Sequence, residues 1–345
     1  MKFFKNRHLL KKTLWLLIVS IAVMGLVASG AFAKTTQTSA VKKIESTSSD
    51  STAVSPTTTT TIAIAQISNS SPASNGSFVG SANRIQIGST FIAYRQFGSG
   101  PDLILLNDAG QSMDSWGISL LSDLSASYKV TVIDFPGVGY STDNLSTPMT
   151  IGWIATKIST LLSDLNIKSP ILVGAGFGGQ VAISMAESSP NLFKYLVLAG
   201  TSPGSPSSYQ IPVPELQTLF GTSSTYTQKI QLMFPASAQT ALNAYMAPTN
   251  LLPIEPIPNA TLNRQFQAQQ VFDQTSQFLN KLPTIKAKCL ILVGDKDTIM
   301  PEQDSNLLVS GLLNANKVVM TGYGHSIMLQ NPTAFLQQLN NFVSS

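Results

Sequence analysis

The chain has 345 residues, of which 43% are hydrophobic and only 11% charged, enough to bury a sizeable core under a surface rich in Ser, Thr, Asn and Gln. Its formal net charge of +4 is local: Lys2, Lys5, Arg7, Lys11 and Lys12 precede the first apolar run, and without those five of the 21 basic residues, 16 face 17 acidic ones, a net of −1. A near-neutral body with no basic stripe excludes a nucleic-acid interface.

The basic stretch leads into an apolar run, Leu14 to Ala28, and then into Ala31-Phe32-Ala33, a small-x-small pattern. Residues 1–33 therefore read as a cleaved export signal. The other reading is an uncleaved anchor, since Leu14 to Ala33 is about long enough to span a bilayer. In both cases the body is delivered outside, and a membrane is met only through residues 1–33. Residues 34–82 are rich in Ser and Thr, carry Thr57 to Thr61 as a homopolymer and are broken by Pro56 and Pro72. Such composition buries too little apolar area to offset its ordering entropy, so it reads as a disordered spacer, with Ile62 to Ala65 as a candidate short strand.

From residue 83 the pattern changes. Arg84 to Ile87 and Thr90 to Phe97 are β-type runs joined by Gly88-Ser89, which predicts a hairpin. Short, continuously apolar runs follow at Leu103 to Leu106, Val130 to Ile133, Ile171 to Val173, Tyr195 to Leu198 and Leu290 to Val293. Runs of that kind separated by helical stretches predict an α/β domain over residues 83–345, with a mostly parallel central sheet flanked by helices. Ile154, Ile158, Leu161, Leu162 and Leu165 mark one face of a helix over 151–165; others are predicted over 180–187 and 332–342. Between about 205 and 282 the strand pattern lapses, and helical pieces near 228–234 and 262–280 predict an inserted cap. Cys289, the only cysteine, lies in an apolar run and reads as a core thiol. No metal-ligand cluster or cofactor motif is present in the sequence; Gly137-Val138-Gly139 is too short for a phosphate loop.

Open parallel sheets place reactive groups just past the carboxyl ends of their strands. There the sequence reads Asn107-Asp108-Ala109-Gly110, then Asp134 to Ser141, then Gly174-Ala175-Gly176-Phe177-Gly178-Gly179, then Gly294 to Asp297, and later Gly322-Tyr323-Gly324-His325. In this order the motifs resemble the α/β-hydrolase superfamily, in its small esterase-like and lactonase-like subgroup, over residues 84–345. The resemblance implies a nucleophile elbow at Gly174 to Gly178, an acid at Asp297 and a histidine at His325, 28 residues apart.

Two positions depart from the family pattern. Gly176 stands where the family keeps its serine. The elbow imposes a positive φ that glycine adopts at little cost, so the turn is expected to survive while the attacking oxygen is lost. Asn107-Asp108 replaces the usual His-Gly pair; the backbone N–H groups of Ala109 and Phe177 still suit an oxyanion hole, but the Asp108 carboxylate beside it would oppose a developing negative charge. Asn107 and Asp108 are expected to line the pocket. Gly200-Thr201-Ser202-Pro203-Gly204 matches the elbow spacing, but its prolines predict a loop at the entry to the cap.

Three readings of function follow. The first is a pseudoenzyme, a binding or interaction module for a small molecule or an ester-like ligand. The second is an enzyme in which His325, oriented by Asp297, acts as general base on water or on an acidic substrate proton, with Asp108 assisting. The third is a serine hydrolase using a relocated Ser202.

Overall fold

The computed structural model describes residues 82–345. The export signal, the spacer up to residue 81 and the candidate strand at Ile62 to Ala65 lie outside the described residues. The strands among the described residues are β1 (Asn83–Ile87), β2 (Thr90–Phe97), β3 (Asp102–Leu106), β4 (Lys129–Ile133), β5 (Ile171–Ala175), β6 (Tyr195–Ala199), β7 (Lys288–Gly294) and β8 (Ala315–Met320), forming one sheet in the order β1-β2-β4-β3-β5-β6-β7-β8. The predicted hairpin pairs Ile87 with Thr90, and β2 runs antiparallel to β4. All other pairings are parallel, with Leu106 opposite both Ile133 and Gly174, and Ala175 opposite Ala199. That register brings the ends of β3, β5 and β6 side by side, and the loops that leave them share one edge.

The helices on the two faces are α1 (Ile118–Ser125), α2 (Ile151–Asp164), α3 (Phe177–Ser188), α9 (Glu302–Gly311), α10 (Ile327–Gln330) and α11 (Pro332–Ser344); between β6 and β7 lie α4 (Val213–Phe220), α5 (Tyr226–Met233), α6 (Gln239–Tyr245), α7 (Asn259–Asp273) and α8 (Gln277–Lys281). The continuously apolar strands are explained by burial on both faces. Leu103 and Leu105 of β3 enter one core with Trp116, Leu120, Phe220 and Phe266, whereas Ile104 and Leu106 enter the other with Ile154, Ile158 and Val181. Cys289 is buried in the second core, and burial pushes its thiol up to about 12.

Two elements escape the sequence pattern. β8 reads Ala-Asn-Lys-Val-Val-Met and is half-exposed, because it lies at the edge of the sheet and β7 covers only one side. α9 opens with Glu302 and Asp304 in its first turn and carries little apolar periodicity. Helix ends, by contrast, follow local chemistry. Thr150 accepts the Trp153 N–H at the start of α2, and Asn331 accepts that of Ala334 at the start of α11, where Pro332 has no N–H and needs no acceptor.

Leu105 lies fully buried in β3, between two parallel neighbours. Leu105→Ala is expected to cost about 2–5 kcal/mol, read as a lower midpoint in urea unfolding at unchanged slope.

Candidate active site

β5 ends at Ala175, the chain turns at Gly176, and α3 begins at Phe177. Gly176 has φ 49° and ψ −118°, a conformation that glycine adopts without a side-chain penalty. The bend is tied from both sides: the Gly176 N–H donates to the Ala199 carbonyl at 3.0 Å, and the Thr201 hydroxyl donates to the Gly176 carbonyl at 2.6 Å. Gly178 lies hard against β3, where a Cβ would meet the carbonyl oxygens of Leu106 and Asn107. The elbow expected at this point is therefore present, with glycine at its apex.

The space over that apex is filled by Asp108. A Cβ added to Gly176 would fall on the Asp108 carboxyl group, with Oδ2 at 2.6 Å. Asp108 Oδ1 accepts the backbone N–H of Ala109 at 2.7 Å and of Phe177 at 2.8 Å. These are the two donors expected to form an oxyanion hole, and both converge on one oxygen of a protein carboxylate. The N-terminus of α3, whose first N–H points at this oxygen, also favours a negative charge there. Asp108 Oδ2 lies 3.0 Å from His325 Nε2.

His325 follows β8 and precedes α10. Its Nδ1 is 2.8 Å from Asp297 Oδ2, and Asp297 Oδ1 accepts the N–H groups of Ile299 and Met300 at 2.8 and 2.9 Å. The imidazole is thus held between two carboxylates. Burial disfavours its charged form, but the Asp297 carboxylate and the hydrogen bond to Asp108 outweigh burial and raise its pKa to about 10. At neutral pH both ring nitrogens carry hydrogens. Burial pushes Asp297 up as well, and His325 with the two backbone donors brings it below the usual carboxylate range.

The loop after β3 is fixed by its own network. The Asn107 side-chain amide donates to the Ser112 carbonyl, Asp134 at the end of β4 accepts the Met113 N–H at 2.7 Å, and Arg95 pairs with Asp114. Gln265 of α7 accepts the Gly110 N–H at 2.9 Å, so the cap also holds this loop. Asn107 is directed into this scaffold and does not line the pocket, contrary to expectation. Asp108 does line it, with Gln111, Trp116, Ala175, Ala199, His325 and the start of α10.

Ser202 is buried elsewhere in the network. Its hydroxyl accepts the Gln180 amide N–H at 2.9 Å and donates to Asp273 Oδ1 at 3.4 Å. Burial raises Asp273 to about 8, and raises Asp304, which accepts the Tyr209 N–H, to about 7. Among the described residues no group of three or more His, Cys, Asp and Glu is arranged to hold a metal ion. Trp116 and Gln111 were not singled out in the sequence, because neither belongs to a motif. The central place of Asp108 left one trace there: a carboxylate at 108 and a bare glycine at 176.

Comparison with known proteins agrees with this fold. A family profile described as alpha/beta hydrolase fold matches residues 101–332. The chain belongs to the α/β-hydrolase family. A putative carbamate hydrolase, RutD, of Pseudomonas savastanoi is 28% identical over 254 residues, 72% of this chain and 96% of that protein. A pimeloyl-[acyl-carrier protein] methyl ester esterase of Aeromonas hydrophila is 23% identical over 260 residues, 73% of this chain and 99% of that protein. Among solved structures, an α/β-hydrolase fold protein from Chitinophaga pinensis superposes with a TM-score of 0.66 at 18% identity, covering 76% of this chain and 97% of that one. The enol-lactonase of Burkholderia xenovorans superposes at 0.61 with 18% identity, covering 76% and 100%.

His325 titrates higher in the folded chain than its ordinary 6.5, so its stabilisation is complete below about pH 6.5 and is lost as pH rises toward 10. Asp273 and Asp304 act in the same sense, because each stays neutral in the fold at pH values where the unfolded chain ionises it. The unfolding temperature is therefore expected to fall steadily from pH 6.5 to about 9, measured by circular dichroism; a flat or rising profile would contradict the charge arrangement.

Proposed function

We propose that this member of the α/β-hydrolase family binds a small, largely apolar molecule in the pocket over Asp108 and His325, and that it does not acylate a serine there. The observation that carries this reading is the placement of Asp108: its carboxylate fills the volume over Gly176, occupies both oxyanion-hole donors and closes on His325. Relatives named as carbamate hydrolase and methyl ester esterase support a small-molecule pocket as the inherited feature. The export signal read in residues 1–33 supports action outside the cell.

The geometry speaks against His325 as a general base in the ligand-free protein. An imidazole with a carboxylate at each nitrogen holds a proton at neutral pH and has no free lone pair to take another. The surroundings of Ser202 speak against a relocated serine, since its hydroxyl is engaged by Gln180 and Asp273.

Two measurements test the proposal. A fluorophosphonate probe is expected to label no serine in the wild-type protein, and a labelled Ser202 would overturn the reading. Gly176→Ser alone is expected to stay inactive on model esters, because its side chain meets Asp108. Combining it with Asp108→Gly vacates the hole and is expected to raise ester hydrolysis by about 10²-fold or more over either single variant, the scale of restored oxyanion stabilisation.

A further inference from the structure

The two ends of the parallel strands carry opposite charge. We infer that the end away from the candidate active site docks on an anionic phospholipid surface, with Lys168, Lys194, Lys286 and Lys288 on the headgroups and Leu313 dipping below them. This contact is independent of the pocket reading above, and it adds to the membrane contact read in residues 1–33.

Sheet order and register gather these side chains. β5, β6 and β7 are neighbours, with Ile171 opposite Tyr195 and Tyr195 opposite Lys288. Lys168 precedes the first strand, Lys194 precedes the second, and Lys286 and Lys288 lead into the third. Adjacent strands lie about 4.8 Å apart, so the row spans roughly one screening length at 0.1 M salt and acts as one patch. Lys168, Lys194 and Lys286 are exposed, and none of them is in an ion pair among the described residues. Leu313 continues the row, because it precedes β8, whose Ala315 lies opposite Cys289 of β7. It is 67% exposed. An exposed leucine beside a row of lysines suits a headgroup layer over hydrocarbon, whereas a soluble polyanion gives the leucine nothing to be buried in.

The near-neutral total charge hides this separation. Asp108, Asp134, Asp295 and Asp297 follow the opposite ends of β3, β4 and β7. Near the lysine row the acids are few. Asp102 is paired with Lys129 at 3.5 Å. Burial lifts the Glu187 carboxyl, in the last turn of α3, to about 8 against the pull of Lys281, so it is mostly neutral at pH 7. That leaves the exposed Asp164, at the end of α2, against four lysines. The lysines come from positions 168 to 288, so no stripe shows when the chain is read in order. β7 is 7 residues long, which puts the patch and the site about 20 Å apart, and a surface met at one end leaves the other in water.

The experiment uses the full chain with vesicles of phosphatidylcholine, alone or with about one third phosphatidylglycerol, and reads lysine acetylation by mass spectrometry. With the anionic vesicles Lys168, Lys194 and Lys286 are expected to react several-fold more slowly, while Lys296, past the opposite end of β7, keeps its rate. Lys296 thereby controls for any attachment through residues 1–33, and about 1 M salt is expected to abolish the protection. Because Cys289 is the only cysteine and is buried, Leu313→Cys offers a single reactive thiol for an environment-sensitive dye. A blue shift is expected on the anionic vesicles. It is expected to be lost when Lys168→Gln, Lys194→Gln and Lys286→Gln are combined, since each lysine at such a surface is worth about a factor of 5, or about 10² together. Equal lysine rates on both kinds of vesicle, equal protection of Lys296, or a dye shift that survives the triple substitution overturns the inference. Protection by duplex DNA with none by the anionic vesicles overturns it too and assigns the patch to a soluble polyanion.

Discussion

An imidazole held between two buried carboxylates must be desolvated together with both of them, and such a group persists only where every remaining hydrogen-bonding site is filled. Here each carboxylate has outside help. Asp297 is held by the N–H groups of Ile299 and Met300, and Asp108 by those of Ala109 and Phe177. The charges are therefore anchored to backbone on three loops, those following β3, β5 and β7, and His325 joins them from a fourth. The glycine turn, the start of α3 and the tight loop at 107–116 all serve to bring these backbone donors within reach of two carboxyl groups.

The cap is part of the same construction. Phe220, Phe234, Tyr245 and Phe266 share a core with Leu103 and Leu105 of the central strand, so the segment between β6 and β7 covers one face of the sheet. It also reaches the site directly, through Gln265 on the Gly110 N–H and through the Met233 carbonyl, which accepts the Ser326 N–H at 3.1 Å. Side chains that shape the pocket thus belong to the packing that keeps β3 in place.

Much of this was legible in the sequence. Strands buried on both faces write themselves as continuous apolar runs, so five of the eight strands stand out, and the hairpin of β1 and β2 is marked by Gly88-Ser89. β8 did not, because Asn316 and Lys317 face partly to solvent at an edge. The positions of Gly176, Asp297 and His325 followed from motif order, and the structure joins the latter two by a 2.8 Å contact. What sequence could not give was direction: nothing in Asn107-Asp108 says that the first side chain turns back to Ser112 while the second turns over the elbow. Orphaned donors such as the Trp116 indole are likewise invisible until the walls around them are assembled.

The overlap of the Asp108 carboxyl group with the space above Gly176 makes the two positions a single unit of inheritance. A chain carrying side chains at both would have to displace one of them, while a chain carrying neither would leave two backbone donors facing an empty cleft. Neither residue can be judged acceptable or damaging in a relative until the other has been read beside it.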